Sequence, residues 1–188
     1  MLLRLTDRQK WTLFLDRDGV INKKLQDDYV KNWQGFEFLP GVIEALSLLK
    51  KYFDRIIVIT NQQGIGKELM SEKDLKNIHK HMCNVIENGG GRIDRIYFCP
   101  DVNSKNDSCR KPGIKMAMMA KADFPEIDFQ HTIMIGDSIT DMKFARNIGA
   151  LTVFISNNKS LQNDNKQLID YVFNNLNEFA KYLYDINH

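Results

Sequence analysis

The sequence predicts an α/β fold with a parallel β-sheet, and three observations support that fold class. Short apolar runs recur along the chain, and each has the composition of a strand that is buried on both faces. Stretches with a helical repeat of apolar residues separate these runs. Most of the runs end in polar or glycine-containing segments, which are typical of strand-to-helix turns. Regular alternation of strands and helices favours parallel pairing over antiparallel hairpins.

The positions of these patterns define the individual elements. Strands are predicted at residues 11–15, 55–60, 93–98, 131–135 and 151–155, with a short edge strand at 171–173. Helices are predicted over residues 42–52 and 71–87, after Pro112-Gly113, through 145–148 and over 176–184. The polar residues 158–165 predict a mobile loop. His79, His81 and Cys83 fall on the second helix without the spacing of metal ligands, so we interpret them as structural or exposed.

Length, charge and composition narrow the class of protein. The chain of 188 residues suffices for one domain, which we expect to span residues 1–188. A net charge of +2 favours neither nucleic acid nor a membrane surface as a partner. No apolar run approaches the roughly 20 residues that cross a bilayer, and none at the N-terminus resembles a signal peptide. We therefore expect a cytoplasmic protein, and the three cysteines predict no disulfide framework. The compact chain with short loops is compatible with a monomer.

The strongest functional signal is the segment WTLFLDRDGVIN at residues 11–22. Its apolar run ends at Asp16, and a second carboxylate follows at Asp18. Side chains two positions apart in an extended segment point the same way, so both carboxylates could serve one cation or one phosphoryl group. Gly19 permits a sharp turn directly after them. Taken alone, the pattern is equally compatible with two solvated turn residues.

Three later segments place further polar groups at predicted strand ends or helix starts. Thr60 and Asn61 open TNQQGIG after the second strand, where a hydroxyl and main-chain N–H groups suit a phosphate oxygen. Arg110 and Lys111 lie in CRKPG before a helix. Asp137 begins the pattern D-x-x-x-D after the fourth strand, where a carboxylate could complete a magnesium site.

These motifs, in this order over about residues 11–155, resemble the haloacid-dehalogenase-like (HAD) phosphatases. The string FLDRDGVIN resembles one branch in particular, the heptose bisphosphate phosphatases, with the histidinol-phosphate phosphatases as near relatives. The resemblance implies a three-layer Rossmann-like parallel sheet with helices on both faces and no large cap domain. It also implies that residues 23–35 form a small flap over the site.

The resemblance implies a role for each candidate residue. Asp16 is the expected nucleophile, forming an aspartyl phosphate, and Asp18 is the expected general acid and base. Mg²⁺ is expected at Asp16, at the main-chain carbonyl of Asp18, and at Asp137. Asp141 is expected to orient Lys111 or a water on the metal. The expected ligands of the phosphate or substrate are Thr60, Asn61, Arg110 and Lys111.

One segment departs from the pattern of this branch, which usually carries a zinc loop of Cys-x-His followed by Cys-x-Cys. The same frame here contains Cys99, Asp101, Asp107 and Cys109, so two of the four ligands are aspartates. Structural zinc prefers four Cys or His ligands, which makes zinc doubtful in this chain. Without zinc, the altered loop could select a different substrate.

Several functions remain open on the sequence alone. The leading hypothesis is a magnesium-dependent phosphatase for a small phosphate ester, with D-glycero-D-manno-heptose 1,7-bisphosphate as the substrate that the resemblance favours. Histidinol phosphate or another sugar phosphate is the alternative substrate. The sequence does not separate these substrates, because the substrate contacts fall in loops 23–35 and 99–110. A phosphotransferase would use the same aspartate with another acceptor. An inactive binding module would be expected to lack Asp16 or Asp18, and both are present.

Overall fold

The computed structural model describes residues 10–102 and 108–188, which contain one six-stranded sheet. The strands are β1 (Thr12–Leu15), β2 (Arg55–Asn61), β3 (Arg95–Cys99), β4 (Thr132–Gly136), β5 (Leu151–Ile155) and β6 (Tyr171–Phe173). Their order is β3-β2-β1-β4-β5-β6, and every neighbouring pair is parallel. The predicted fold class is confirmed, and the predicted edge strand lies at one end of the sheet.

Helices cover both faces of the sheet. They are α1 (Val42–Leu49), α2 (Glu72–Asn88), α3 (Lys115–Asp123), α4 (Ile139–Ile148), α5 (Lys159–Asp164) and α6 (Leu176–Asn187). Helices α1, α2 and α6 share one apolar core with one face of the sheet, and α3 and α4 share a second core with the other face. Within the residues that the structure describes, no helix is both long enough and apolar enough to span a bilayer.

Strand β1 lies in the middle of the sheet, between β2 and β4, and its side chains reach both cores. Leu13 and Leu15 pack in the first core, while Phe14 packs in the second, and all three are fully buried. This follows from the alternation of side chains along a strand. Burial of each such side chain contributes roughly 1.5–3 kcal/mol, so the strand that carries Asp16 is firmly held.

The prediction of a mobile loop at residues 158–165 is wrong. Helix α5 occupies most of that segment, and the side chain of Asn158 caps it by accepting a hydrogen bond from the N–H of Leu161 at 3.1 Å. Gln162 also donates to the carbonyl of Ser156 at 2.7 Å. The helix has no fully buried residue, so it lacks the apolar stripe on which a prediction from periodicity depends.

Candidate active site

The order of the strands places the candidate residues together. From β1 the chain runs outward through β2 to β3 and then crosses to the other side of β1 for β4. A crevice forms at the carboxyl ends of parallel strands where the order reverses in this way. Asp16 follows β1, Thr60 and Asn61 end β2, and Asp137 follows β4, so residues distant in sequence become neighbours.

A tight turn follows Asp16. The carbonyl of Arg17 accepts hydrogen bonds from the N–H groups of Ile21 at 2.8 Å and Asn22 at 3.1 Å. Gly19 lies in this turn with φ of +90°, a conformation that disfavours any side chain. A Cβ at Gly19 would also overlap the carboxylate of Asp137. The glycine therefore serves both the turn and the close approach of Asp137.

Asp16 is a nearly buried carboxylate. Its Oδ1 accepts a hydrogen bond from the N–H of Arg17 at 2.8 Å and lies 3.0 Å from Nζ of Lys111. Burial raises the pKa of Asp16 to about 7; the ammonium of Lys111 opposes this shift, and the charges of Asp141 and Asp137 add to it. A cation nearby would therefore favour the ionised form of Asp16.

Lys111 is enclosed by oxygen atoms. Its Nζ lies 2.6 Å from Oδ1 of Asp141 and donates a hydrogen bond to the carbonyl of Ile59 at 2.7 Å. Burial tends to lower the pKa of Lys111, but Asp141 and Asp16 outweigh that effect and raise it. The side chain of Asn61 fixes the backbone here, because its Oδ1 accepts from the N–H of Lys111 at 3.0 Å.

The carboxylate of Asp18 is held by three donors. Arg17 Nη2 donates to its two oxygens at 2.9 and 3.0 Å, Asn22 Nδ2 at 2.9 Å, and Gln62 Nε2 at 2.8 Å. Burial acts to raise the pKa of Asp18, but the charge of Arg17 and these hydrogen bonds prevail and lower it. Asp18 is therefore oriented separately from Asp16, although the two residues are only two positions apart.

Asp137 forms an ion pair with Lys24, whose Nζ lies 2.7 Å from Oδ2. Burial raises the pKa of Asp137, and Lys24 opposes the shift. One carboxylate oxygen from each of Asp16, Asp137 and Asp141 lies within 4.8 Å of the others. Such a set of hard oxygen donors suits a divalent cation such as Mg²⁺.

The other predicted ligands differ in their exposure to the site. Asn61, Arg110 and Lys111 line a cavity of about 260 Å³ together with Asp16 and Asp18. Within the described residues, the buried Nη1 of Arg110 has no hydrogen-bond partner. The side chain of Thr60 is fully buried, and its Oγ1 accepts a hydrogen bond from Gln62 Nε2 at 2.9 Å. Residues 23–35 contribute Lys24, Leu25, Asp28, Tyr29 and Val30 to the cavity wall.

Similar proteins place this arrangement in a family. A family model described as HAD-hydrolase-like matches residues 108–179. A D-glycero-alpha-D-manno-heptose-1,7-bisphosphate 7-phosphatase from Mycobacterium tuberculosis is 41% identical over 141 residues, covering 75% of this chain and 74% of that protein. A D-glycero-beta-D-manno-heptose-1,7-bisphosphate 7-phosphatase from Neisseria meningitidis is 31% identical over 180 residues, covering 93% and 95%. The chain belongs to the HAD-like phosphatases.

The fold of this HAD-like phosphatase agrees with that assignment. A crystal structure of D,D-heptose 1,7-bisphosphate phosphatase from B. bronchiseptica, complexed with magnesium and phosphate, has a TM-score of 0.84 and 26% identity. The match covers 94% of this chain and 99% of that chain. The protein is thus a phosphoric monoester hydrolase.

The cysteine loop of this HAD-like phosphatase corrects one expectation. Cys99 and Cys109 form a disulfide, with Cα atoms 5.5 Å apart, although the cysteine count predicted no disulfide framework. A count of cysteines could not show that Cys109 lies beside Cys99 at the end of β3. Asp101 accepts a hydrogen bond from the N–H of Cys109 at 3.1 Å. Asp107, the fourth residue of the degenerate zinc loop, lies outside the described residues.

Sequence reasoning missed four residues that shape the site of this HAD-like phosphatase. Arg17 and Gln62 donate hydrogen bonds to Asp18. Arg17 lies in the motif WTLFLDRDGVIN and Gln62 in TNQQGIG, so their positions inside these motifs could have indicated a role at the site. Lys24 pairs with Asp137 from an irregular loop. His79 contacts Arg17 from α2, and no spacing in the sequence connects these two residues.

Proposed function

We propose that this enzyme is a magnesium-dependent phosphatase that removes the 7-phosphate of a D-glycero-D-manno-heptose 1,7-bisphosphate through an aspartyl-phosphate intermediate. The observation that carries the chemistry is the position of Asp16 in the cavity wall, 3.0 Å from a buried lysine and beside two further carboxylates. The substrate rests on the names of the relatives that are 31–41% identical to this chain.

In this proposal Asp16 is the nucleophile. One of its carboxylate oxygens attacks the phosphorus, the bond from phosphorus to the ester oxygen breaks, and the phosphoryl group is left on Asp16. Water then attacks that phosphoryl group, which releases inorganic phosphate and restores the carboxylate. The ammonium of Lys111, 3.0 Å from Oδ1, stabilises negative charge on the transferring group.

Asp18 is the proposed general acid and base. It gives a proton to the departing alkoxide and then takes one from the attacking water. Its hydrogen bonds with Arg17, Asn22 and Gln62 favour the carboxylate, which suits the second step. For the first step, a phosphate dianion beside Asp18 would raise its pKa by charge repulsion, so that substrate binding itself favours the protonated acid.

Magnesium fits the oxygen donors of Asp16 and Asp137, and we propose the main-chain carbonyl of Asp18 as a further ligand. When bound, the ion would neutralise the phosphate and lower the pKa of Asp16. Asp141 is assigned to Lys111 rather than to the metal, since its Oδ1 lies 2.6 Å from Nζ of Lys111.

Arg110 is the proposed ligand of the rest of the substrate. It lines the cavity, and its buried Nη1 has no hydrogen-bond partner within the described residues, so a second anionic group would satisfy it. Asn61 supports the adjoining Lys111 backbone, and the Thr60 hydroxyl is proposed as a phosphate donor. The degenerate zinc loop is not assigned a metal. Cys99 and Cys109 are joined to each other in this structure.

Phosphate release tests the proposal directly. The alpha and beta anomers of heptose 1,7-bisphosphate and histidinol phosphate should be compared side by side, with Mg²⁺ and with EDTA. We expect one heptose anomer to be preferred and its turnover to be lost with EDTA. Asp16→Asn should abolish turnover, whereas Asp185→Asn on the exposed side of α6 should not. Preference for histidinol phosphate would overturn the substrate, and an active Asp16→Asn variant would overturn the mechanism.

Three broader predictions accompany this function. We propose that residues 1–188 form one domain, that the enzyme acts as a monomer in the cytoplasm, and that it needs neither nucleic acid nor membrane as a partner. Light scattering coupled to size-exclusion chromatography would test the monomer, for which a mass near 21.9 kDa is expected.

A further inference from the structure

Arg17 is a fully buried guanidinium beside the proposed acid–base residue. It has no exposed surface, and a buried charge is costly unless its donors are satisfied. Its Nη2 holds the carboxylate of Asp18 and also donates to Oε1 of Gln62 at 3.2 Å. Its Nη1 lies 3.2 Å from Nε2 of His79. The orientation of Asp18 therefore depends on what holds the far side of this guanidinium.

His79 is suited to be that partner because it is rigid and neutral. It lies on α2, and its helical neighbours Leu75, Ile78 and Met82 are fully buried in the core. Burial and the charge of Arg17 lower the pKa of His79 to about 3, so at neutral pH the imidazole is uncharged. A neutral ring offers one nitrogen as an acceptor, which is the group that Arg17 Nη1 requires.

Gln62 completes a chain of contacts from the helix to the site. Its Oε1 accepts from Arg17, while its Nε2 donates both to Asp18 at 2.8 Å and to Thr60 at 2.9 Å. The guanidinium is thus fixed from two directions, by a residue after β2 and by a residue on α2. Within the described residues, Nε of Arg17 has no hydrogen-bond partner. The contacts of Nη1 and Nη2 therefore orient the guanidinium.

We infer that His79 is a positioning residue for proton transfer, because it fixes Arg17 and Arg17 in turn fixes the carboxylate of Asp18. This inference rests on the proposed role of Asp18 as general acid and base. His79 touches neither the substrate nor the reacting atoms. Its loss should therefore impair the steps in which Asp18 moves a proton and spare the attack of Asp16 on phosphorus.

The test compares esters whose leaving groups differ in their need for a proton. A sugar alkoxide needs one, whereas p-nitrophenolate leaves without help. In His79→Leu, turnover of the sugar phosphate is expected to fall about tenfold to a hundredfold, a loss typical of a displaced catalytic group, with KM changed by less than about threefold. Rapid mixing with p-nitrophenyl phosphate should still show a first turnover at the wild-type rate, followed by slow release of phosphate as Asp18 fails to activate water.

Two variants separate positioning from general damage to the fold. His79→Gln retains an acceptor for Arg17 and is expected to restore sugar phosphate turnover to within about threefold of wild type. His81→Leu, on the same helix but partly exposed and stacked on Trp33, is the matched control and should leave both reactions unchanged. If His79→Leu does not fold, His79→Asn, whose amide is too short to reach Arg17, is measured in its place.

The outcomes distinguish this inference from the proposed function. Equal losses of the first-turnover rate with both esters, an unaffected His79→Leu variant, or no rescue by His79→Gln would each overturn the positioning role. The comparison uses the ratio of the first-turnover rates with alkyl and aryl phosphates, so it does not require heptose bisphosphate to be the substrate. If the wild type turns over simple alkyl and aryl phosphates but not the heptose, the substrate assignment fails, and the ratio for His79→Leu still decides the role of His79.

Discussion

Lys111 and Asp141 form a fully buried ion pair, with 2.6 Å between Nζ and Oδ1. The other oxygen of Asp141 accepts hydrogen bonds from the N–H of Ser138 at 3.1 Å and from its hydroxyl at 2.6 Å, which forms the capping box of α4. A Cβ at Gly136 would overlap Asp141, so the glycine that ends β4 makes room for this carboxylate. One aspartate therefore ties the start of α4 to the cation beside Asp16.

Removing the cation should affect both activity and stability. Lys111→Met is expected to lower kcat at least about a hundredfold, because charge on the transferring group loses its nearest cation. It should also lower the free energy of unfolding by about 3–5 kcal/mol, because two buried carboxylates lose their partner. Phosphate release and urea unfolding at pH 7 measure the two effects. Lys143→Met on the exposed face of α4 is the control, and equal behaviour of the two variants would contradict the role of Lys111.

Gly19 should be needed for the position of Asp137 as well as for the turn. Gly19→Ala introduces strain at φ of +90° and an overlap with the Asp137 carboxylate. Gly149→Ala has comparable strain at φ of +78°, but nothing lies within 4 Å of the added Cβ. We expect both variants to lose about 1–2 kcal/mol of stability from strain, and only Gly19→Ala to lose Mg²⁺-dependent activity. Similar activity of the two variants would show that the approach of Asp137 is unimportant.

His79 should make the protein less stable in mild acid. The pKa of His79 is about 3 in the folded protein, against the ordinary value of 6.5 that we expect in the unfolded chain. Between these two values the unfolded chain binds a proton that the folded protein excludes. Stability is therefore complete above pH 6.5 and falls as the pH decreases. Between pH 7 and pH 5, the exclusion of this proton should lower the free energy of unfolding by about 2 kcal/mol.

The measurement is urea unfolding of the wild type and His79→Gln at pH 7 and pH 5. Other titrating groups are common to both proteins and cancel in the difference, so the variant should lose less stability on acidification. Equal losses would mean that His79 is protonated in the folded state at pH 5, which would contradict its role as an acceptor for Arg17.

Thiol counting should distinguish a disulfide from a metal-bound pair of cysteines. Cys99 and Cys109 are joined and Cys83 is free, so denatured protein prepared without reductant should react at one thiol, and at three after reduction. Denaturant is needed because burial raises the pKa of Cys83 to about 11. Cys83→Ser should show no reactive thiol before reduction. Three thiols without reductant, together with bound zinc, would indicate a metal loop instead.

Local patterns were sufficient to predict most of the fold. The strand at 151–155 has the predicted bounds, because an apolar run that is largely buried differs clearly from its surroundings. The edge strand at 171–173 also has the predicted bounds, although none of its residues is fully buried. The short helix α5 was missed because capping and polar hydrogen bonds, rather than an apolar stripe, define it. The candidate site residues could be proposed for the same local reason, since their motifs follow predicted strands or precede predicted helices.

The sequence by itself determined the parallel α/β class, the order of the elements along the chain, and the candidate set of carboxylates and cations at strand ends and before helices. Hydrophobic periodicity and motif spacing are local properties, and they are legible in one dimension. The tertiary structure decided which groups meet: Lys111 with Asp141, Lys24 with Asp137, Cys99 with Cys109, and Arg17 with His79. Such pairings depend on strand order and helix packing, because residues as far apart as Lys24 and Asp137 become neighbours only when the sheet assembles around β1.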